Sequence, residues 1–309
     1  MALTLNVPVL VAKTLEAYKV KYPMLGALST DISDDASRKG QQVIARITKV
    51  PTVADFNATQ ATNAQDSKTL LEDIPVTLNR HRESVIQWVQ DDVEKSQIKI
   101  IEAMTEMGYA LGKDVTDYIL SQALATNFST SVTSATPDRA TLRQVTAAMN
   151  GNGARDVRYG IVNSDVYDDL DNDPEITSSD YAGQMQGANP WGQIKNSSGF
   201  TNIWEYPDTP ANGENMTGFF FDPTAFVLAS RPMTLNQNLA TQLGVPLQSK
   251  VDVVADPTTG MTFTAFTWQS NTSFDLFTKL VVLYGVSSGK ATGSAGDLTD
   301  FGGCILKSS

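Results

Sequence analysis

The sequence has very little of the side-chain chemistry on which most active sites depend. It contains one cysteine, Cys304, and one histidine, His81. A single cysteine excludes an intrachain disulfide and a cysteine-rich zinc site, and a single histidine excludes any site that needs two imidazole ligands. Cys304 lies in an apolar stretch and is predicted to be a packed small hydrophobe. We therefore expect no catalytic constellation, no metal and no cofactor.

Positive charge and long apolar runs are also scarce. The 309 residues include 23 Lys and Arg against 34 Asp and Glu, a formal net charge of -11. A protein that binds nucleic acid through its phosphates usually presents a basic face, so sequence-specific nucleic-acid binding is not expected. No run approaches the roughly 18 apolar residues of a membrane helix. The composition, 41% hydrophobic and 18% charged, is typical of a folded domain.

Two alternating segments predict a long β-hairpin. Residues 41–50 and 71–82 alternate apolar and polar side chains, and residues 55–67 between them are almost entirely Asn, Gln, Thr, Ala and Asp. Each leg, counted to the middle of the tip, has about 20 residues and would extend roughly 65 Å at about 3.3 Å per residue. A compact chain of this length has a radius of gyration of only about 19 Å. Two strands alone are marginally stable. The hairpin must therefore rest on another copy of the chain or fold back on its own sheet, and both remain open.

The second leg of the hairpin supplies the candidate contacts with a neighbouring copy. Pro75 confines this strand to an edge or an irregular position because it has no amide hydrogen. Three apolar side chains face one way, and two arginines that share a strand face can meet carboxylates of another surface or form a solvated basic patch. With a lysine near the polar tip, the candidates are Lys68, Ile74, Val76, Leu78, Arg80 and Arg82.

The clearest single element is a long amphipathic helix over residues 92–125. This stretch has no proline, and its apolar residues recur at helical spacing. At about 1.5 Å per residue it would span roughly 50 Å. A second helix is predicted from Asp138 or Thr141 to Met149, and a third from Ser164 or Asp165 to Leu170.

The remainder mixes strands with loops. Residues 171–217 are rich in Pro, Gly and Asn and are predicted to be loop-rich. Strands and helices alternate without regular βαβ units, so the predicted class is α+β. The predicted strands are 157–162, 218–221, 225–229, 249–255, 261–268, 274–285 and 303–306.

Three segments imitate catalytic or ligand-binding motifs and fail as such. Residues 169–180 begin like a calcium loop, but Pro174 stands where glycine is required. Residues 285–292 resemble a phosphate loop but have Ala291 where a magnesium ligand belongs, and we interpret them as a mobile loop. His81 lies between two arginines, which disfavour its cationic form, and no nucleophile elbow accompanies it.

The order of elements resembles the major capsid proteins of tailed bacteriophages, the Hong Kong 97-like fold family. An arm, a long hairpin, a long helix and a mixed body follow one another. Residues 78–94, Leu-Asn-Arg-His-Arg-Glu-Ser-Val-Ile-Gln-Trp-Val-Gln-Asp-Asp-Val-Glu, resemble the strand that leads into the long helix of that family. Residues 160–170, Gly-Ile-Val-Asn-Ser-Asp-Val-Tyr-Asp-Asp-Leu, and 277–286, Phe-Thr-Lys-Leu-Val-Val-Leu-Tyr-Gly-Val, resemble later elements of its body.

This resemblance implies a domain organisation. Residues 1–40 would be an N-terminal arm and 41–90 an extended loop laid over an adjacent subunit. Residues 91–134 and 246–276 would form a peripheral domain with a spine helix, and 135–245 and 277–309 an axial domain. Some family members cross-link through a lysine in the extended loop. Lys68 lies near that loop, but no partner residue can be identified, so that chemistry is not carried over.

The resemblance also implies function and partners. The chain would be a non-enzymatic virion protein that assembles in the host cytoplasm into hexamers and pentamers. These would close an icosahedral capsid around double-stranded DNA, without a membrane. Because Met1 is followed almost at once by arm-like sequence, we expect a separate scaffolding protein or none, together with a portal and possibly decoration proteins.

Three other functions remain alternatives at this point. An encapsulin would build a shell of one uniform size around cargo enzymes. A cytoplasmic hydrolase could use the acidic side chains of residues 165–180. A phage tail or decoration protein would form tubes or trimers.

Overall fold

The fold is described from a computed structural model over residues 22–31, 40–48, 71–89, 100–152, 154, 157–177, 193–233, 250–255, 261–269, 275–288, 290–292, 298–300 and 302–308. These residues form an α+β fold, which confirms the predicted class. The chain divides into two compact units. Unit 1 comprises Met1–Val43, Thr77–Ser121 and Leu228–Val286, and unit 2 comprises Ile44–Val76, Gln122–Val227 and Ser287–Ser309.

The helices are α1 (Ile100–Ser121), α2 (Arg139–Gly151), α3 (Ser164–Asn172) and α4 (Pro174–Thr177), and Pro23–Ala27 forms a short 3-10 helix. The strands are β1 (Ser29–Asp31), β2 (Gln42–Thr48), β3 (Leu71–Thr77), β4 (Arg80–Trp88), β5 (Ser131–Thr133), β6 (Tyr159–Val162), β7 (Gln193–Ser197), β8 (Phe200–Glu205), β9 (Met216–Phe221), β10 (Phe226–Arg231), β11 (Lys250–Ala255), β12 (Thr262–Gln269), β13 (Leu276–Ser288), β14 (Lys290–Thr292), β15 (Leu298–Asp300) and β16 (Gly303–Lys307).

Unit 1 is organised around strand β13. The sheet order is β1-β10-β13-β12-β11, and β4 also pairs with β13. The pairings of β13 with β12 and with β4 are antiparallel. The middle of β13 is fully apolar and buried from Leu280 to Leu283, as expected of a strand with neighbours on both sides.

Helix α1 supplies a second layer of unit 1. Its buried stripe recurs every three or four residues, through Met104, Met107, Leu111, Val115 and Ile119, each at most 4% exposed. This is the periodicity of one helix face. The helix predicted over 92–125 is confirmed from Ile100, while residues 90–99 lie outside the described part.

Helix α1 ends four residues before the predicted 125. Beyond Ser121 the backbone bonds to another segment of unit 2: the Ala123 carbonyl accepts from Asn212 Nδ2 at 2.8 Å, and the Ala125 amide donates to Glu214 Oε1 at 3.0 Å. Because these backbone groups are hydrogen-bonded to side chains, they do not need partners within a helix, and the helix can end at Ser121.

Unit 2 contains a mixed sheet covered on one face by helices. The order is β5-β16-β9-β6-β8-β7, with β5–β16 and β6–β8 parallel and β16–β9, β9–β6 and β8–β7 antiparallel. The buried cluster joins α2 and α3 to the sheet through residues that include Leu142, Val145, Met149, Leu170, Phe200, Phe220 and Cys304. Cys304 is fully buried, and burial raises the pKa of its thiol to about 12. Its predicted role as a packed hydrophobe is confirmed.

Short polar signals begin and end the helices of unit 2. Asp138 caps α2 by accepting from the Thr141 amide at 2.8 Å, as predicted. Asn163 caps α3 by accepting from the Val166 amide at 3.0 Å. At the other end of α2, the buried Arg158 guanidinium donates to Asn150 Oδ1 at 2.5 Å and to the Ala154 carbonyl at 3.2 Å. A positive charge at this position is stabilised by the negative end of the helix dipole.

The predicted hairpin is present, but its second leg is shorter than expected. Strands β2 and β3 form a two-stranded sheet. The strand predicted over 71–82 is interrupted at Leu78 and Asn79, because the Leu78 amide and carbonyl are already bonded to Gln41 and Gly40. Past that point β4 joins the sheet of unit 1 instead. Residues 49–70, including the polar tip, lie outside the described part.

Two other segments contain more regular structure than predicted. Residues 171–217 contain α4 and the hairpin β7–β8, whose turn has positive φ at Ser198 (50°) and Gly199 (91°). Positive φ at both central residues suits the twist of a two-residue hairpin. Residues 285–292 are largely strand, since β13 continues to Ser288 and β14 pairs with β15.

Candidate functional site

The predicted contact residues divide into three groups. Lys68 lies outside the described residues. Ile74, Val76 and Leu78 are buried within the single chain, at 5%, 0% and 0% exposure. Arg80 and Arg82 lie on β4, beyond the point where the hairpin closes. Their role in contacts between copies stays a prediction. Their contacts within the chain define a cluster at the hairpin root, the point where Leu78 is hydrogen-bonded to Gly40 and Gln41.

Strand β4 has two different faces. Arg82, Ser84, Ile86 and Trp88 are half-buried or buried, whereas Glu83, Val85 and Gln87 are exposed. This alternation is expected of a strand covered on one side. The two arginines therefore lie on the covered side, together with residues of α1 and β13.

The first contact of the covered face is an ion pair with α1. Arg82 Nε lies 3.2 Å from Asp114 Oδ1, at ion-pair distance but without hydrogen-bond alignment. The side chains are 43% and 30% exposed. Solvent screens such a pair, so it contributes about 0.2–1 kcal/mol to stability.

The second contact of the same carboxylate is with β13. The Tyr284 hydroxyl donates to Asp114 Oδ2 at 2.8 Å, and the Tyr284 side chain is fully buried. Burial and the Asp114 acceptor raise the pKa of this hydroxyl far above its usual value, and nearby Arg80 opposes the shift. The phenol therefore stays neutral and remains a donor throughout the physiological range.

The third contact is aromatic. The Arg80 guanidinium carbon lies 4.2 Å from the centroid of the Tyr118 ring, within the range of a cation–π interaction. Tyr118 also meets Tyr284 edge to face, with ring centroids 5.8 Å apart. Three elements, β4, α1 and β13, are thus joined by one small polar cluster.

The chain directions just before this cluster are also fixed. The Gly40 amide donates to the Leu78 carbonyl at 2.6 Å, and the Leu78 amide donates to the Gln41 carbonyl at 3.0 Å. Gly40 has a φ of 82°, which favours glycine. A Cβ on Gly285 would overlap the Thr77 carbonyl oxygen. The absence of a side chain at Gly285 lets β13 touch the backbone of the second leg.

The exposed face of β4 is bonded to β13 independently. Glu83 forms an ion pair with Lys279, and Gln87 Nε2 donates to Asp275 Oδ2 at 2.8 Å. On the covered face, Trp88 Nε1 donates to the Thr278 hydroxyl at 3.0 Å. Strand β4 is therefore held along its whole length, not only at the arginines.

Metal-binding clusters and membrane-spanning helices are absent from the described residues. The described part of the chain contains no group of three or more His, Cys, Asp or Glu side chains that could hold a metal ion. His81 Nε2 is buried and makes no hydrogen bond within these residues. No helix among them is both long enough and apolar enough to cross a membrane.

The fold is similar to solved structures of phage capsids. It matches the capsid of cyanophage P-SCSP1u with a TM-score of 0.57 at 11% identity, over 92% of this chain and 86% of that one. It matches the capsid of Ralstonia phage GP4 with a TM-score of 0.56 at 8% identity, over 91% and 89%. A structure from Mycobacterium phage Che8 gives 0.53 at 17% identity, over 91% and 89%. The chain has the fold of a phage capsid protein. No protein-family model matches it, and no curated protein matches its sequence.

The sequence of this capsid fold pointed to only two of the five residues of the root cluster. It singled out Arg80 and Arg82 but not Asp114, Tyr118 or Tyr284. A signal for two of these was present, because Asp114 and Tyr118 are four residues apart and therefore share one helix face. Their pairing with β4 depends on contacts distant in sequence, which periodicity does not reveal.

Proposed function

We propose that the chain is the major capsid protein of a tailed bacteriophage, a structural protein without catalytic activity. The observation that carries this proposal is the extent of the structural likeness. Phage capsid structures match about nine-tenths of this chain and nearly as much of their own, at 8–11% identity. A likeness of such extent at so little identity reflects a shared architecture and not a shared local motif. In the proposal, copies assemble into hexamers and pentamers that close an icosahedral shell around double-stranded DNA.

Within this function the elements receive roles by analogy with the Hong Kong 97-like family. We propose that α1 is the spine helix of a peripheral domain and that residues 41–90 form a loop extended over a neighbouring subunit. The sheet of unit 2 with α2 and α3 corresponds to the axial domain. A scaffolding protein, a portal and decoration proteins are the expected partners, and assembly takes place in the host cytoplasm.

The predicted contact residues act in two ways in this proposal. Ile74, Val76 and Leu78 are already buried in one chain, so we expect them to keep the hairpin strands in register more than to meet a neighbour. Ile44 on the opposite strand is 55% exposed and offers apolar area for an adjacent copy. Lys68 is the proposed contact nearest the tip.

Particle mass is the direct test. The full chain is expressed alone and with a candidate scaffolding protein, and the product is examined by light scattering and negative-stain microscopy. Closed shells or free capsomers are expected. A chain that stays a 33.4 kDa monomer under assembly-promoting conditions contradicts the proposal. Shells of one size filled with protein would favour an encapsulin instead.

The bridging role of the hairpin tip has a separate test. Deleting residues 55–67 should leave the melting temperature nearly unchanged, because this polar segment cannot pack a core, but it should abolish shells. A matched control replaces the same residues with a Gly/Ser linker of equal length. Failure of both variants shows that the tip sequence is needed, whereas shells formed by the deletion variant would remove the tip from the assembly contacts.

A further inference from the structure

The hairpin root is constrained more tightly than a connection between two sheets requires. Each leg leaves or enters unit 1 at a pair of backbone hydrogen bonds between Leu78 and residues Gly40 and Gln41. Directly against this pair, Gly285 leaves no room for any side chain next to the Thr77 carbonyl. The backbone of both legs is therefore held in place at the hairpin root.

A second set of contacts follows within four residues of Leu78. The Arg80 guanidinium contacts the Tyr118 ring, Arg82 forms an ion pair with Asp114, and Asp114 accepts a hydrogen bond from the Tyr284 hydroxyl. Tyr284 precedes Gly285 on β13, so the ring contacts and the backbone contact belong to one site. We call the set Arg80, Arg82, Asp114, Tyr118, Tyr284 and Gly285 the root clamp.

We propose that the root clamp is a positioning device that sets the direction in which the hairpin legs leave unit 1. The inference rests on the proposed function, because that direction matters when the hairpin must reach an adjacent copy. The clamp joins the helix, the central strand and the returning leg at a single point, whereas the fold of unit 1 has its own apolar core in β12, β13 and α1.

The consequence is a separation between folding and assembly. Loosening the clamp widens the range of hairpin directions and lowers the fraction of chains that are ready to associate. The apparent association constant falls in proportion to that fraction. If one chain in five remains competent, association weakens about fivefold.

The test uses charge-neutral variants of similar size in the full chain. Arg82→Gln removes the ion pair, and Asp114→Asn removes the charge while keeping an acceptor for Tyr284. The matched control is Glu83→Gln, which breaks the Lys279 ion pair on the exposed face of the same strand. Gly285→Ala is a stronger variant, because its methyl group must displace the Thr77 carbonyl.

Two readouts are needed. Particle yield is measured by light scattering, and the hairpin direction is measured by the distance distribution between spin labels at Asn63→Cys and Glu106→Cys in unassembled chains. The background cysteine, Cys304, is fully buried. Arg82→Gln and Asp114→Asn should broaden the distribution and lower the yield by up to about fivefold, the most that loss of a solvent-screened ion pair supplies, with circular dichroism unchanged. Glu83→Gln should behave like the parent.

The outcomes separate this inference from the proposed function. If the parent chain forms no particles but the clamp variants still broaden the distance distribution, the capsid function is wrong and the clamp stands. If the parent forms shells and the clamp variants match it in both distribution and yield, the clamp is wrong. Equal broadening by Glu83→Gln would also overturn it, because strand pairing in general would then set the direction.

Discussion

Asp138 carries both halves of the cap that begins helix α2. Its carboxylate accepts from the Thr141 amide at 2.8 Å, and its own amide donates to the Thr141 hydroxyl at 3.3 Å. The Thr141 amide and the Thr141 hydroxyl, which also donates to Asp138 Oδ1 at 2.8 Å, lower the pKa of Asp138 below its usual value. A lowered folded-state pKa means that the charge contributes stability above the unfolded value and loses it as the pH falls through the folded value.

We therefore expect Asp138→Ala to lower the free energy of unfolding by about 0.5–2 kcal/mol at neutral pH. Asp138→Asn should retain most of it, because asparagine is an equally good cap. Urea denaturation at a series of pH values measures both effects. The parent should approach Asp138→Asn below about pH 4 as the carboxylate protonates. If Asp138→Asn lowered the free energy of unfolding as much as Asp138→Ala at neutral pH, the stabilisation would come from the charge alone.

Gly160 shows how closely the strands and rings of unit 2 pack. It pairs with Phe220 across β6 and β9, and a Cβ at Gly160 would lie 2.6 Å from Phe220 Cε1. Gly160→Ala is expected to cost about 1–3 kcal/mol through overpacking. Gly151→Ala is the control, since no atom lies within 4 Å of its Cβ position, and its stability should be unchanged or slightly higher. Thermal unfolding of the two variants decides, and equal melting temperatures would mean that the Phe220 ring relaxes freely.

At the scale of elements, the sequence predicted those whose signals are local. Helix α2 was readable from its capping residue and its terminal glycine, and α1 from its apolar period. The β7–β8 hairpin was missed because Gly and Asn obscured its strands, although Ser198-Gly199 is itself a turn signal. The division between β3 and β4 was not readable at all. It depends on Leu78 bonding to Gly40 and Gln41, a contact between residues far apart in the chain.

The contact between α1 and β13 gives a prediction at alkaline pH. The pKa of Tyr284 is raised by burial first and then by Asp114. Its contribution to stability is therefore fully present below the unfolded value of about 10 and is lost as the pH rises through the folded-state pKa. Tyr284→Phe should lower the free energy of unfolding at pH 8 by about 1–3 kcal/mol, because Asp114 loses a donor.

The same variant should also flatten the fall in stability above about pH 10, because no phenol remains to ionise at this position. Denaturation curves at pH 8 and at alkaline pH measure both effects. Tyr159→Phe is the control: Tyr159 stacks on Trp204 at a centroid distance of 5.3 Å in unit 2, and phenylalanine keeps that stacking. An alkaline fall as steep in Tyr284→Phe as in the parent would assign it to other groups.

At the scale of the whole molecule, the fold depends on the pattern of buried apolar positions and not on sequence identity. The phage capsid structures share as little as 8% of their residues with this chain, yet match about nine-tenths of it. Alternation, helical period and element order survive substitution because any apolar residue of suitable size can fill a core position. That is why the order of elements was informative when every individual motif failed.

The net charge of -11 has the last testable consequence. Copies that associate into a shell repel one another, and this repulsion is long-range at low ionic strength, where the Debye length is about 30 Å at 0.01 M against about 8 Å at 0.15 M. Raising the salt over this interval should lower the protein concentration at which shells appear. Light scattering of purified chains across a dilution series measures that threshold, with sodium and potassium chloride compared at equal ionic strength to exclude a specific cation. A threshold that rises with salt would mean that ion pairs between copies outweigh the net repulsion.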